Sequence, residues 1–118
     1  LEGLAREGRY LSRLAVRDRQ RIRVIRADDV DWISVEGEQA WVYVAGTRHP
    51  VRRTLAEMEA RLDPSRFFRA HRSAIVNLDR VSEIVPWFKG GHKLRLRTGA
   101  EIDLSRARAR ALRKILRW

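Results

Sequence analysis

Cysteine is absent from this 118-residue chain. Without a thiol there is no disulfide, no zinc–thiolate site and no cysteine nucleophile. No apolar run approaches the roughly 18 residues a membrane helix needs, and no signal-peptide pattern is present. The three histidines, His49, His71 and His92, form neither HExxH nor HxH. No GxSxG, Walker A or GxGxxG spacing occurs, so nothing supplies a nucleophile elbow or a phosphate loop. Asp28-Asp29-Val30-Asp31 lacks the glycine and distal glutamate of a calcium loop and reads as a solvated turn. The chain is therefore expected to be a non-enzymatic, cytoplasmic domain without metal or cofactor and without membrane contact of its own. It opens on Leu1 in mid-pattern, so residues 1–10 read as a linker ending an upstream module and residues 11–118 as one domain.

Lysine is also scarce. Of 26 basic residues only three are Lys, and 23 are Arg. Guanidinium forks onto phosphate or a guanine edge in a way an ammonium does not. The net charge of +11 is unevenly spread. Residues 1–65 hold 12 basic and 11 acidic side chains, whereas residues 66–118 hold 14 and 4. The first half is nearly neutral and the second carries the field, as a surface that grips a polyanion would.

A period of two dominates the chain and predicts a mainly β fold of eight or more short strands with two helices. Residues 11–26 read as a hairpin turning at Arg17–Gln20. Strands are expected after Asp31, over Ala40–Ala45 beyond a turn at Glu36–Gln39, and near Val51. One strand is expected over Phe68–Val76, another over Arg80–Trp87 and a third over His92–Thr98, where Lys93, Arg95 and Arg97 share a face. Ile102–Leu104 adds a last strand. Thr54 with Glu57 three residues on predicts a capped helix to Leu62, and Ser105 caps a final helix over 106–116. Pro86 marks a strand end or an edge.

Arg66-Phe67-Phe68-Arg69-Ala70-His71-Arg72 interleaves cations with aromatics. If Phe68 and Ala70 point inward, Arg69 and His71 face outward and Arg72 reaches from the strand's end. Phosphate contact and a plain solvated edge both fit that pattern. Arg106, Arg110, Arg113 and Arg117 form one stripe of the last helix. Arg106 opposes the helix dipole from the first turn, which hints at an anionic partner. Exposed Trp41, Trp87 or Phe88 could instead stack RNA bases, and a basic face could also meet an acidic protein or an anionic membrane.

Phe67-Phe68-Arg69-Ala70-His71-Arg72-Ser73-Ala74-Ile75-Val76-Asn77 closely resembles the F-x-R-x-H-R-S-x-I-V-N signature of LytTR domains, the DNA-binding output domains of response regulators in two-component systems. Trp32-Ile33 with the following turn, Arg52-Arg53-Thr54-Leu55 and Leu96 through Arg106 match further family segments in order. The resemblance implies about ten short strands in small antiparallel sheets with two short helices. It implies a transcription regulator binding double-stranded DNA at direct-repeat promoter sites, as a dimer on DNA, with a sensor or receiver module upstream. Carried over by position, Arg72, Arg106 and a residue of the Glu36–Ala40 loop, here Gln39, contact bases. Arg69, His71, Ser73, Lys93, Ser105 and Arg108 are then the expected phosphate contacts. Glu38, Gln39 and Ala40 depart from the Tyr, His or Asn that the family pattern often places in that loop, Glu36 and Glu38 would repel nearby phosphates, and Ser34 replaces the family's usual glutamate.

Overall fold

A computed structural model describes residues 9–118, and among them ten strands form three antiparallel sheets with two α-helices. The linker expected at residues 1–10 lies outside the described residues except for its last two. Strands β1 (Arg13–Asp18) and β2 (Arg21–Arg26) make a separate hairpin, with Leu14 opposite Ile25. Strands β3 (Trp32–Glu36), β4 (Gln39–Val44), β5 (Thr47–Val51), β6 (Phe67–His71) and β7 (Ala74–Asn77) form the central sheet in the order β5-β4-β3-β7-β6. Strands β8 (Val81–Pro86), β9 (His92–Leu96) and β10 (Glu101–Leu104) form a third sheet in the order β10-β9-β8. Pro86 thus ends an edge strand, where its missing N–H costs no ladder bond.

The central sheet is covered on both faces where β6, β7 and β3 run. Phe67 joins a core with Leu14, Val16, Ile33, Val42 and Met58, beneath the β1–β2 hairpin and helix α1 (Leu55–Arg61). Phe68, its chain neighbour, points the other way into a second core. There it meets Leu94, Leu96, Ile102 and Leu104 of the third sheet and Leu112 of helix α2 (Arg106–Leu116). Each large side chain so buried is worth about 1.5–3 kcal/mol. Both helices are capped as the residue types dictate: Thr54 Oγ1 accepts from the Glu57 amide at 3.1 Å, and Ser105 Oγ from the Arg108 amide at 3.2 Å.

Two expectations need correction. The strand expected over Phe68–Val76 is two strands, because Arg72 and Ser73 form a tight turn. A bulge between Arg69 and His71 bends β6, and the Ser73 amide donates to His71 Nδ1 at 3.1 Å. The acidic segment 28–31 is not simply solvated. Asp31 is buried; its carboxylate accepts from the Ala45 amide at 2.9 Å and lies 3.7 Å from Arg80 Nε. Asp28 binds Arg66, and its carbonyl accepts from Arg80 at 2.9 Å. Buried Asn77 completes the knot, donating to the Val30 carbonyl at 2.8 Å and accepting from the Asp79 amide at 3.0 Å. Backbone that crosses between sheets here would otherwise leave polar groups unpaired in the interior.

Replacing Asn77 by Ala should therefore destabilise the domain by about 1–3 kcal/mol, the cost of orphaned buried polar groups. Urea unfolding would show a lower midpoint with an unchanged slope; an unchanged midpoint would refute the assignment.

Candidate nucleic-acid interface

Arg69, beside the bulge in β6, is half-buried, and each nitrogen of its guanidinium makes a bond within the chain. Nε donates to the His71 carbonyl at 3.0 Å, Nη2 to the Arg72 carbonyl at 2.6 Å, and Nη1 to Glu59 of α1 at 2.8 Å. The Arg69 carbonyl in turn accepts from Arg108 Nε at 2.8 Å. The Arg108 guanidinium lies 4.6 Å over the Phe68 ring, a cation–π contact. One residue on, the Ala70 carbonyl accepts from the Ser105 amide at 3.2 Å. The β6–β7 turn and the first turn of α2 are thus tied together by their backbones. Of the two arginines expected on phosphates, Arg69 commits all three of its nitrogens within the chain, whereas Arg108 commits Nε and keeps its outer nitrogens.

From that tie two arginines project. Arg72 is exposed at the tip of the β6–β7 turn, and Arg106 is exposed as the first residue of α2. Among the described residues neither makes an ion pair. Arg72 borders a groove of about 600 Å³ with Gly37, Gln39, Arg52, Arg53 and Arg69. Arg106 rests against the β8–β9 turn, where a Cβ on Gly90 would lie 3.9 Å from its Nη2. Ser105 keeps its hydroxyl hydrogen available, since its oxygen is the helix cap.

The structure therefore brings the Glu36–Gln39 turn beside Arg72. Gly37, at φ +61, takes the left-handed conformation that turn requires. Gln39 Nε2 is held by the carbonyls of Ala40 at 2.8 Å and Val51 at 3.2 Å. Two-pronged recognition of adenine needs both the amide nitrogen and the oxygen; only the oxygen is uncommitted. Glu36 is neutralised by Arg48 at 3.1 Å, and the Arg48 guanidinium covers Trp41 at 3.9 Å. Only Glu38 opposes phosphate in this turn.

The face expected to carry Lys93, Arg95 and Arg97 is less basic than its alternation implies. Lys93 lies 3.4 Å from Asp103, its register partner on β10, and 4.6 Å over Trp87. Arg95 sits between Glu83 at 3.3 Å and Glu101 at 2.9 Å on the flanking strands. Arg97 alone is exposed and unpaired among the three. Alternation found the face; the acids opposite came only with the strand register. Further along α2, Arg113 lies 5.0 Å from the Trp118 ring. Arg52 and Arg53, two cations directly before the α1 cap and so a legible signal in the sequence, line the same groove as Arg72.

His71 is a neutral group here. Burial, chiefly, pushes its pKa below the usual value; Arg69 and Arg72 push the same way and Asp103 opposes them. Its Nδ1 accepts the Ser73 amide, so the ring proton sits on Nε2. It can donate one hydrogen bond to a phosphate oxygen but brings no charge.

Comparisons with known proteins bear on the family and the fold. The family model described as the LytTr DNA-binding domain matches residues 20–117. The sensory transduction protein LytT of Bacillus anthracis is 28% identical over 107 residues, covering 91% of this chain and 44% of its own. The transcriptional regulatory protein YpdB of Escherichia coli K12 is 32% identical over 98 residues, covering 82% and 40% respectively. The chain thus spans less than half the length of these curated relatives. A solved LytTr DNA-binding domain from Bacillus cereus superposes with a TM-score of 0.84 at 22% identity, covering 91% of this chain and 98% of that one. That likeness bears on the fold, which it shares.

The depressed pKa of His71 sets a pH dependence. The unfolded chain takes up a proton near pH 6.5 while the folded histidine resists it. Stability should be level above that pH and fall as the solution is acidified below it. Urea titrations at pH 7.5 and 5.5 should show a smaller loss in His71→Asn than in the parent; equal losses would contradict the assignment.

Proposed function

Because the chain belongs to the LytTR family of DNA-binding domains, we propose that it reads duplex DNA by sequence, through two turns rather than a helix laid in a groove. One observation carries the proposal: Arg72 and Arg106 are unpaired guanidinium groups on turns whose backbones are joined through Arg69 and Arg108. A fixed separation between two forked donors lets each meet one base edge, guanine O6 and N7 being the natural acceptors. Arg52, Arg53, the outer nitrogens of Arg108, the Ser73 and Ser105 hydroxyls and the His71 Nε2 proton hold phosphates and set register. Arg69 and Lys93 serve mainly as scaffold. Gln39 contributes at most a single acceptor from its side-chain oxygen.

The charge distribution supports the same reading. The second half of the chain carries a balance of +10, which attracts a duplex before any base is read. Stacking of successive RNA bases is disfavoured because Trp41 is covered by Arg48 and one contact on Trp87 is taken by Lys93, which leaves Phe88 as the single uncovered ring of the three. We further propose a binding module without catalysis, acting in the cytoplasm as the output domain of a longer regulator. The names and lengths of LytT and YpdB support a sensor or receiver module upstream. Two copies side by side on repeated half-sites would follow from the family. No helix among the described residues is long and apolar enough to cross a membrane.

Duplexes selected from a random library by the domain give the site, and gel-shift titrations of variants test the roles. Arg106→Ala should cost about 1–3 kcal/mol and relax preference at one position. Arg52→Ala should weaken binding to all duplexes alike and lower the salt slope by about one. Should Arg106→Ala leave both affinity and selectivity untouched, the base-reading assignment fails.

A further inference from the structure

The turn between β8 and β9 holds the least buried aromatic of the described residues: Phe88 is 79% exposed and its neighbour Trp87 49%. This turn is ordered by its own bonds. The Trp87 amide donates to the Gly91 carbonyl at 2.8 Å, and the Gly91 amide to the Phe88 carbonyl at 2.9 Å. Lys89 and Gly90 both take left-handed backbone conformations, with φ at 53° and 76°. Gly91 is crowded, since a Cβ there would meet the Phe88 carbonyl at 3.2 Å. The Trp87 ring meets the Phe88 ring edge-on at 5.5 Å, and Lys93 Nζ lies 4.6 Å over the Trp87 ring. The chain therefore holds an apolar ring out in water on a fixed mount.

What surrounds that ring identifies its partner. Lys89 follows it directly and is exposed, Lys93 sits on Trp87, and the Arg106 guanidinium lies against Gly90 of the same turn. The acid nearest in register, Asp103, is occupied by Lys93. An apolar probe inside a positive field suits a polyanion that also offers apolar edges. Sugars and base edges of a nucleic-acid groove do so, thymine methyls among them. A second copy of this chain, at +11, would bring like charge against it.

Resting on the DNA-binding reading above, we infer that the 87–91 turn is a second, apolar contact with the duplex. In it Phe88 packs on sugar and base edges beside the position read by Arg106. The ring adds affinity that salt does not screen, whereas Lys89 adds a phosphate contact that it does.

The test compares the parent domain with Phe88→Ala and Lys89→Ala on the library-selected duplex and on a scrambled one, across a range of salt. Phe88→Ala should keep the melting temperature, because the ring is exposed, and lose about tenfold in affinity with no change in salt slope. Lys89→Ala should lower the slope by about one. Unchanged affinity in Phe88→Ala overturns the inference. So does a Phe88→Ala variant whose only defect is weaker self-association in sedimentation, or a parent that prefers single strands. If the parent fails to separate the selected duplex from the scrambled one, sequence reading falls. An equal loss by Phe88→Ala on both duplexes would still support the apolar contact.

Discussion

A single guanidinium, that of Arg69, holds the functional end of this domain together. Each of its three nitrogens donates within the chain, to the His71 carbonyl, the Arg72 carbonyl and Glu59, while its own carbonyl carries Arg108. A four-residue turn, a short helix and the start of a longer helix are thereby referred to one point. An arginine suits this place because its planar fork can satisfy two backbone oxygens at once and still reach an acid. A lysine would have to divide one point charge among the same acceptors. The exposed groups on either side owe their spacing to a residue that is itself half-buried.

Beneath that point lies a sheet with no free face over β6, β7 and β3. Neighbouring residues must then both be apolar, as Phe67 and Phe68 are, each serving a different core. This explains how far the sequence could be read. Strands with one wet face, such as β9 and β10, announce themselves by alternation, and both helices announce themselves by their caps. The segment Phe67–Asn77 alternates only from Phe68 to His71, because Phe67 and all of Ala74–Asn77 are buried as well. Its division at Arg72 and Ser73 is written in hydrogen bonds between His71 and Ser73, which no period reveals.

Charge was legible in total and not in detail. The basic bias of the second half, the exposed Arg72 and the exposed Arg106 follow from composition, strand ends and helix position. Whether a given cation is available depends on which acid lies opposite it, and that depends on register. Lys93 and Arg95 meet Asp103, Glu101 and Glu83 across β8–β10. Such exposed pairs add little stability, about 0–1 kcal/mol each, yet they remove two cations from the surface offered to a partner. In the same way, three aspartates that look like an open loop become, with Arg66, Arg80 and Asn77, the polar knot that joins the sheets.

The separation between the tie and the tips has a consequence for the history of such domains. Arg72 and Arg106 are exposed and belong to neither core, and their side chains take no part in the tie, so exchanging either leaves the cores and the tie intact. On the proposed reading of these two residues, target preference can therefore drift while the frame stands still. A gene copy could acquire a new set of promoters by altering two or three exposed positions, without passing through an unfolded ancestor.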